Sequence, residues 1–401
     1  MSTLSALYTR TTALAYIHNE RDEAVDFLRG LAIVLMTVVH IEYFSIFSMV
    51  AWERLGFVTA AEWFVALSGL VIGRVNRARI AKAGRVTTAW KSVARGARLY
   101  AINTALVVLP LVLLPLKWID TSELIRYVDY GSGSVYRLYP AAGAPIEDWF
   151  NTVLLLRGGP HQVQVLGLYA CLLIFFVPPI LLALHRAGGA LLVLAASWGL
   201  YAWNLFSPLR WSQMQFENAF PLESWQLLFV MGMLLGWFST EIRLVLGHGR
   251  RRACLYAICA TLTILLFVLA QGRLDPFTPN WAKLGFLPHE AIDGLYLQFA
   301  EKRSLGPLRV LNDFCLLVTL HGLLRSQWDR VGPSIGRVFV PIGQASLYCF
   351  VAHFFLVLIA SQITPFSLRP PLWITGTATH LVAICVLWLL ARYGPGRQLL
   401  R

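Results

Sequence analysis

Long apolar stretches separated by short polar segments run through the whole chain. Their lengths of roughly 17 to 25 residues match helices that cross the hydrocarbon core of a bilayer. We therefore predict an all-α polytopic membrane protein with about ten transmembrane helices. The predicted spans cover residues 28–47, 57–75, 97–116, 163–184, 188–206, 224–240, 253–270, 306–324, 338–362 and 371–391.

The composition agrees with a membrane protein. Of 401 residues, 57% are hydrophobic and only 14% are charged, whereas soluble domains have about 25% charged residues. Residues 1–25 lack a long apolar core, so we expect no cleavable signal peptide. The predicted organisation is a cytoplasmic segment (1–25), a transmembrane domain (26–392) and a cytoplasmic tail (393–401). The six cysteines have neither metal-ligand nor disulfide spacing, so no metal site is predicted.

The formal charge of +13 first suggests a nucleic-acid partner, but its distribution argues against one. With ten spans and a cytoplasmic N-terminus, 22 of the 34 Lys and Arg residues fall in cytoplasmic segments. Eight of them lie between Arg74 and Arg98, in the predicted loop after span two. This bias is the positive-inside pattern, which predicts that both termini are cytoplasmic. The basic excess also suits anionic lipid head groups or an anionic cytoplasmic ligand.

Two predicted outer loops are longer than a helical bundle needs, from Lys117 to Pro160 and from Gln271 to Leu305. Long loops in compact folds are usually functional or disordered. Both loops mix aromatic residues with carboxylates, a combination that suits a carbohydrate surface. An aromatic belt at the membrane interface explains the rings equally well.

The first span places a charged residue and a titratable residue on one helix face. Arg29 and His40 are eleven residues apart, which is three turns and about 16 Å of an α-helix. Ionisable groups inside a bilayer are costly and usually mark a functional site. His40 could move a proton, or it could only pack across helices, as could His161, His321, His353 and His380. Asp26 lies three residues before Arg29 and can pair with it on the same face.

The second span begins with a carboxylate and continues with small residues. Glu62 lies near its predicted outer end and could orient or charge-balance a histidine. Ser68 and Gly69 form a surface that another helix or a slender ligand can approach closely. Ser68 has no nucleophile-elbow context, so we do not interpret it as a covalent nucleophile.

Together these elements resemble the OpgC branch of the acyltransferase-3 superfamily of integral-membrane acyltransferases, over roughly residues 21–391. The matching elements in the first two spans are Asp26-x-x-Arg29-Gly30, the Arg29-x10-His40 spacing and Glu62-x-Phe64-x-x-x-Ser68-Gly69. Three later stretches also look similar: Leu168-Tyr169, Trp225 to Phe229, and Gly343 to Phe350 followed by His353.

The resemblance implies an inner-membrane enzyme of Gram-negative bacteria that esterifies hydroxyls of osmoregulated periplasmic glucans. The donor would be a cytoplasmic acyl-CoA, in OpgC-type members succinyl-CoA, and no tightly bound cofactor is expected. The residue matching His40 is the catalytic base in this superfamily, and Glu62 or Asp26 would tune it. The residue matching Arg29 belongs to the coenzyme path, to which we also assign Ser68, Gly69, Arg74 and His353.

Two other classes of protein remain open from the sequence. A transporter of an anionic solute also combines ten spans with intramembrane charge. It would favour interrupted spans at matching positions of two halves, and the sequence shows no such symmetry. A purely structural membrane subunit leaves the intramembrane Asp, Arg, His and Glu residues unexplained. The acyl group, the exact acceptor and the oligomeric state are not fixed by the sequence.

Overall fold

The computed structural model describes residues 21–130, 132–207, 210–247, 249–363, 365–368 and 372–395. It is mostly helical, with 72% of the residues in helices. The helices are α1 (Glu23–His40), α2 (Ala60–Ala83), α3 (Arg85–Leu113), α4 (Ser122–Ile125), α5 (Ile146–Leu154), α6 (Gln164–Cys171), α7 (Val177–Ala183), α8 (Gly189–Phe206), α9 (Leu222–Trp237), α10 (Ser239–Leu246), α11 (Arg250–Ala270), α12 (His289–Phe299), α13 (Pro307–Ser326), α14 (Trp328–Val331), α15 (Gly336–Gln344), α16 (Ser346–Ser361) and α17 (Trp373–Tyr393). A π-helical segment, Leu172–Phe176, joins α6 to α7, and β1 (Arg126–Val128) pairs antiparallel with β2 (Val135–Arg137).

Each of the ten predicted spans contains a helix, although α1 ends at His40 within the predicted span 28–47. The count of ten membrane crossings is not confirmed. Within the described residues, six helices are long and apolar enough to cross a membrane, and up to eight if each bent pair is one span. The bent pairs are α9 with α10, at 71°, and α15 with α16, at 99°. Helix α1 is not among the six, and its 18 residues include Glu23, Asp26 and Arg29. The orientation of the termini stays a prediction, and residues 1–20 and 396–401 of the two predicted terminal segments lie outside the described part.

The predicted cytoplasmic loop between spans two and three is not a loop. Helix α2 continues to Ala83, and α3 begins at Arg85, so Gly84 alone separates them. Gly84 has a φ of +75°, which glycine adopts without the steric penalty of a side chain. Lysine and arginine are good helix formers, and both helices therefore extend beyond their apolar parts into the basic segment.

Glycines bring two pairs of helices into direct backbone contact. A Cβ added to Gly69 would lie 2.1 Å from the carbonyl oxygen of Phe229, so α2 and α9 touch there without side chains between them. A Cβ on Gly30 would lie 1.9 Å from the carbonyl oxygen of Phe339, which joins α1 to α15 in the same way. Small residues permit such close approach between membrane helices. These two contacts, with the packing of α1 on α2, build the centre of the fold.

The two long loops carry secondary structure of their own. The first contains α4, the β1–β2 hairpin and α5, and the second contains α12. Tyr130 lies in the turn of the hairpin and donates a hydrogen bond to Glu42, which follows the last turn of α1. The hairpin is thereby held at the end of α1 that carries His40.

Candidate functional site

Three histidines from different parts of the chain meet at the end of α1. Nδ1 of His40 lies 3.0 Å from Nε2 of His353, and the two rings stack with centroids 5.1 Å apart. The ring of His161 lies edge-on to His40, with centroids 5.7 Å apart. His353 belongs to α16, and His161 lies just before α6. All three are candidates from the sequence, but their positions along the chain do not predict that they meet.

The hydrogen bonds of this pair fix which ring nitrogens carry protons. Nδ1 of His353 bonds to the carbonyl oxygen of Phe350, which can only accept, so this nitrogen carries the proton. In the neutral ring, Nε2 of His353 is then an acceptor for the Nδ1–H of His40. The second nitrogen of His40, Nε2, keeps its lone pair and can take up a proton.

Helices α1 and α16 are joined at both ends of the Arg29–His40 face. The guanidinium of Arg29 donates to the hydroxyl of Ser346, the first residue of α16, and His40 bonds to His353 two turns later. Helix α16 starts there because the chain bends by 99° at Ala345, directly after α15 packs on α1. The sequence placed Arg29 and His40 on one face, and the fold provides a second helix along that face.

A small cavity lies beside Arg29 and is also lined by Phe350, the neighbour of His353. Two guanidinium groups line it, those of Arg29 and Arg95, together with Ser68, Tyr169 and Ser346. Nε of Arg29 is buried and has no hydrogen-bond partner among the described residues. A buried donor without a partner is costly, so this end of the cavity is suited to an anionic ligand group.

At its other end the cavity is bounded by two phenylalanine rings. Phe64 and Phe350 stack with centroids 6.3 Å apart, and Phe350 lies 4.6 Å from the ring of His353. One small cavity beside α1 and α16 is thus lined both by two guanidinium groups and by the phenylalanine that contacts the histidine pair.

Not all of the residues assigned to the coenzyme path line this cavity. Ser68 lines the cavity. Gly69 faces α9 instead, and the backbone of Phe229 occupies the space beside it. Of the two interpretations of Gly69, approach by another helix or by a ligand, the structure shows the first. Arg74 lies outside the cavity lining and pairs with Asp22 at 3.1 Å.

Asp22 also lies 3.3 Å from Nε2 of His321. Burial alone would raise the pKa of this carboxyl, but the bonds and charges of His321 and Arg74 outweigh it and hold the pKa well below its ordinary value. Asp22 also accepts a bond from the backbone of Val25 as the N-cap of α1. These contacts fasten the start of α1 to α2 and α13.

The two carboxylates expected to tune His40 are placed elsewhere. Asp26 pairs with Arg21 and lies 3.7 Å from Arg29, at the opposite end of α1 from His40. Glu62 is fully buried and divides its oxygens between Arg309, at 2.6 Å, and the N-cap Thr59. Among the described residues, neither carboxylate bonds to a histidine of the cluster.

Glu62 instead belongs to a buried ionic network. Arg309 of α13 is completely buried and pairs with both Glu62 and Glu53, and Glu53 also pairs with Arg273. Burial alone would raise the pKa of Glu53, but Arg309 and Arg273 lower it below its ordinary value. Arg309 is not among the residues predicted from the sequence to be functional. Its position inside a predicted span is the signal that could have identified it, because ionisable residues in a span need a partner.

The comparison with protein families now bears on this geometry. The family model described as OpgC protein matches residues 21–396. The chain belongs to the OpgC family. No curated protein matches the chain. The OpgC family is associated with acyl transfer, which supports a transferase that modifies glucans. Among the described residues, the histidine cluster and the cavity of this OpgC protein bring titratable and cationic side chains close together.

Proposed function

We propose that this protein is an inner-membrane O-acyltransferase that moves a succinyl group from cytoplasmic succinyl-CoA to hydroxyls of periplasmic glucans. The observation that carries the proposal is the alignment of a cationic cavity with the His40–His353 pair. A donor with phosphates at one end and a reactive thioester at the other matches that order. The succinyl group and the glucan come from the family resemblance.

In this proposal the donor lies along the face of α1 that carries Arg29 and His40. Its phosphates bind at Arg29, Arg95 and the neighbouring basic surface that includes Arg74. A guanidinium offers a rigid fork of donors that suits phosphate. The pantetheine arm passes Ser68 and reaches the histidines between the phenylalanine rings. The length of about 16 Å between Arg29 and His40 is of the order of an extended arm.

The chemical step uses the free nitrogen of His40. Nε2 takes the proton of the acceptor hydroxyl as its oxygen attacks the thioester carbonyl carbon. The new C–O bond forms, the C–S bond breaks, and the leaving thiolate receives the proton back from His40. His353 holds His40 in the tautomer that this step needs, through the bond at Nδ1. General-base catalysis of this kind contributes about 10²- to 10⁴-fold.

The direct test compares glucans from a deletion strain with those from strains complemented by wild type, His40→Ala or His185→Ala. His185 is exposed in the turn after α7 and does not belong to the cluster, so it is the matched control. Mass spectrometry should find succinyl groups with wild type and His185→Ala, and none with His40→Ala. Equal succinylation in the deletion strain and wild type would contradict the proposal.

The sidedness of the reaction is tested in sealed vesicles of known orientation. Succinyl-CoA should react only from the cytoplasmic face and glucan only from the periplasmic face. Transfer with both substrates on one face would remove the need for a path across the membrane.

One observation favours a second candidate, a transporter of an anionic solute. Transporters often bind ions at broken helices, and the structure has two such breaks, at Phe238 and Ala345. Both breaks lie in the second half of the chain, whereas inverted repeats would place one in each half. Liposome uptake of a labelled dicarboxylate without any acyl transfer would favour this candidate.

A further inference from the structure

A second polar pair lies beside His40 and has no part in the proposed step. Nε2 of His161 is 3.7 Å from a carboxylate oxygen of Glu42, and the His161 ring meets His40 edge-on. The other ring nitrogen, Nδ1 of His161, is buried and has no hydrogen-bond partner among the described residues. Buried polar atoms are nearly always bonded. A ligand atom is therefore expected at this nitrogen.

Glu42 is held in one orientation. The hydroxyl of Tyr130 donates to its second oxygen at 2.7 Å, and Glu42 is only 8% exposed. Burial and the neighbouring Glu42 carboxylate raise the pKa of Tyr130, so the phenol keeps the proton that it donates. One oxygen of Glu42 thus faces the hairpin, and the other faces His161.

Aromatic rings border the pair on the hairpin side. The ring of Tyr127 lies 5.2 Å from that of His161, and Phe277 lies 6.0 Å from Tyr130. Trp52 stacks on Phe277 with centroids 3.8 Å apart. Flat apolar faces beside a carboxylate and an imidazole suit a ligand that presents C–H groups on one face and hydroxyls at its edge. A sugar ring has both.

We propose that Glu42 and His161 form the subsite that receives the acceptor, a polyhydroxylated ring whose hydroxyls bond to these two side chains. The inference rests on the proposed function, because the attacking hydroxyl must also reach Nε2 of His40. The edge-on contact of the two imidazoles places this subsite directly beside the base. The donor cavity reaches Phe350, whose ring contacts that of His353, whereas Glu42 and His161 lie on the hairpin side, so donor and acceptor would approach His40 from different sides.

The test separates acceptor binding from the chemical step. Glu42→Gln and His161→Leu are compared with Glu147→Gln, which changes an exposed carboxylate in the first turn of α5. Each purified protein is assayed for succinyl transfer to a glucan oligosaccharide and for hydrolysis of succinyl-CoA without an acceptor. We expect kcat/KM for the glucan to fall roughly tenfold or more in both site variants, the effect of losing a charged hydrogen bond. The KM for succinyl-CoA and the hydrolysis rate should stay within about twofold, and Glu147→Gln should match wild type.

Two results would overturn the subsite. A parallel loss of transfer and hydrolysis would mean that the pair acts on the thioester, and unchanged glucan kinetics would mean that it has no role. Glu42→Gln preserves the shape of the side chain and carries the test if His161→Leu does not fold. A wild-type protein that neither transfers nor hydrolyses would instead contradict the proposed acyltransferase.

Discussion

The buried pair of Glu62 and Arg309 gives a prediction that separates structure from catalysis. The motif resemblance assigns Glu62 to the catalytic machinery, whereas its contacts are those of a buried ion pair. Glu62→Gln keeps the side-chain shape and removes the charge opposite Arg309. Breaking a buried pair on one side costs about 3–5 kcal/mol. Arg309 keeps Glu53 as a second partner, so we expect the lower end, about 3 kcal/mol.

This cost should be visible as a change in thermal unfolding. A loss of about 3 kcal/mol lowers the unfolding midpoint by roughly 4 °C in a chain of this size, at about 2.1 cal/mol/K of unfolding entropy per residue. The 14 tryptophans permit fluorescence measurements in detergent, and Glu147→Gln is the matched control. A cycle with Arg309→Gln should show coupling, since contacting residues are non-additive. If Glu62→Gln left thermal unfolding unchanged and lowered kcat a hundredfold, this reasoning would be refuted and Glu62 would be assigned to catalysis.

Four further changes test other parts of the fold. His40→Ala should lower kcat for acyl transfer about 10²- to 10⁴-fold without altering expression, and near-wild-type rates would contradict its role as base. Arg29→Lys should raise the dissociation constant for acyl-CoA in calorimetry roughly tenfold, because lysine lacks the fork of donors. Asp22→Asn should lower the unfolding midpoint at pH 7. The gap to wild type should narrow progressively as the pH falls below about 4, because this carboxyl is then protonated in the unfolded chain, whereas its depressed pKa keeps it ionised in the folded protein until a much lower pH. Gly69→Ala should lower the midpoint, whereas Gly199→Ala, whose Cβ would meet nothing within 4 Å, should not.

The sequence predicted the helices well because apolar length is a strong signal. It also placed Arg29 and His40 on one face, since helical spacing is regular. It could not predict the partner of His40, because His353 is 313 residues away and several other histidines were equally eligible. The basic segment after span two was misassigned as a loop, because charge predicts topology and does not break a helix.

The assignments of Glu62 and Gly69 show a different limit. Both lie in the segment that resembles the family, yet one pairs with Arg309 and the other packs against α9. A motif records which residues recur together and does not say whether each touches a ligand or holds the helices in place. Only the long-range contacts distinguish these two roles.

The direct backbone contact at Gly30 has a consequence for how a donor could enter. Since no side chains separate α1 from α15 there, these two helices cannot slide or rotate against each other without a clash between their backbones. On α3 and α6, by contrast, the donor cavity is lined by side chains, among them those of Arg95 and Tyr169. We therefore expect the cavity to widen for a donor by movement of the side chains on α3 and α6, while the Gly30 contact keeps α1 and α15 in place.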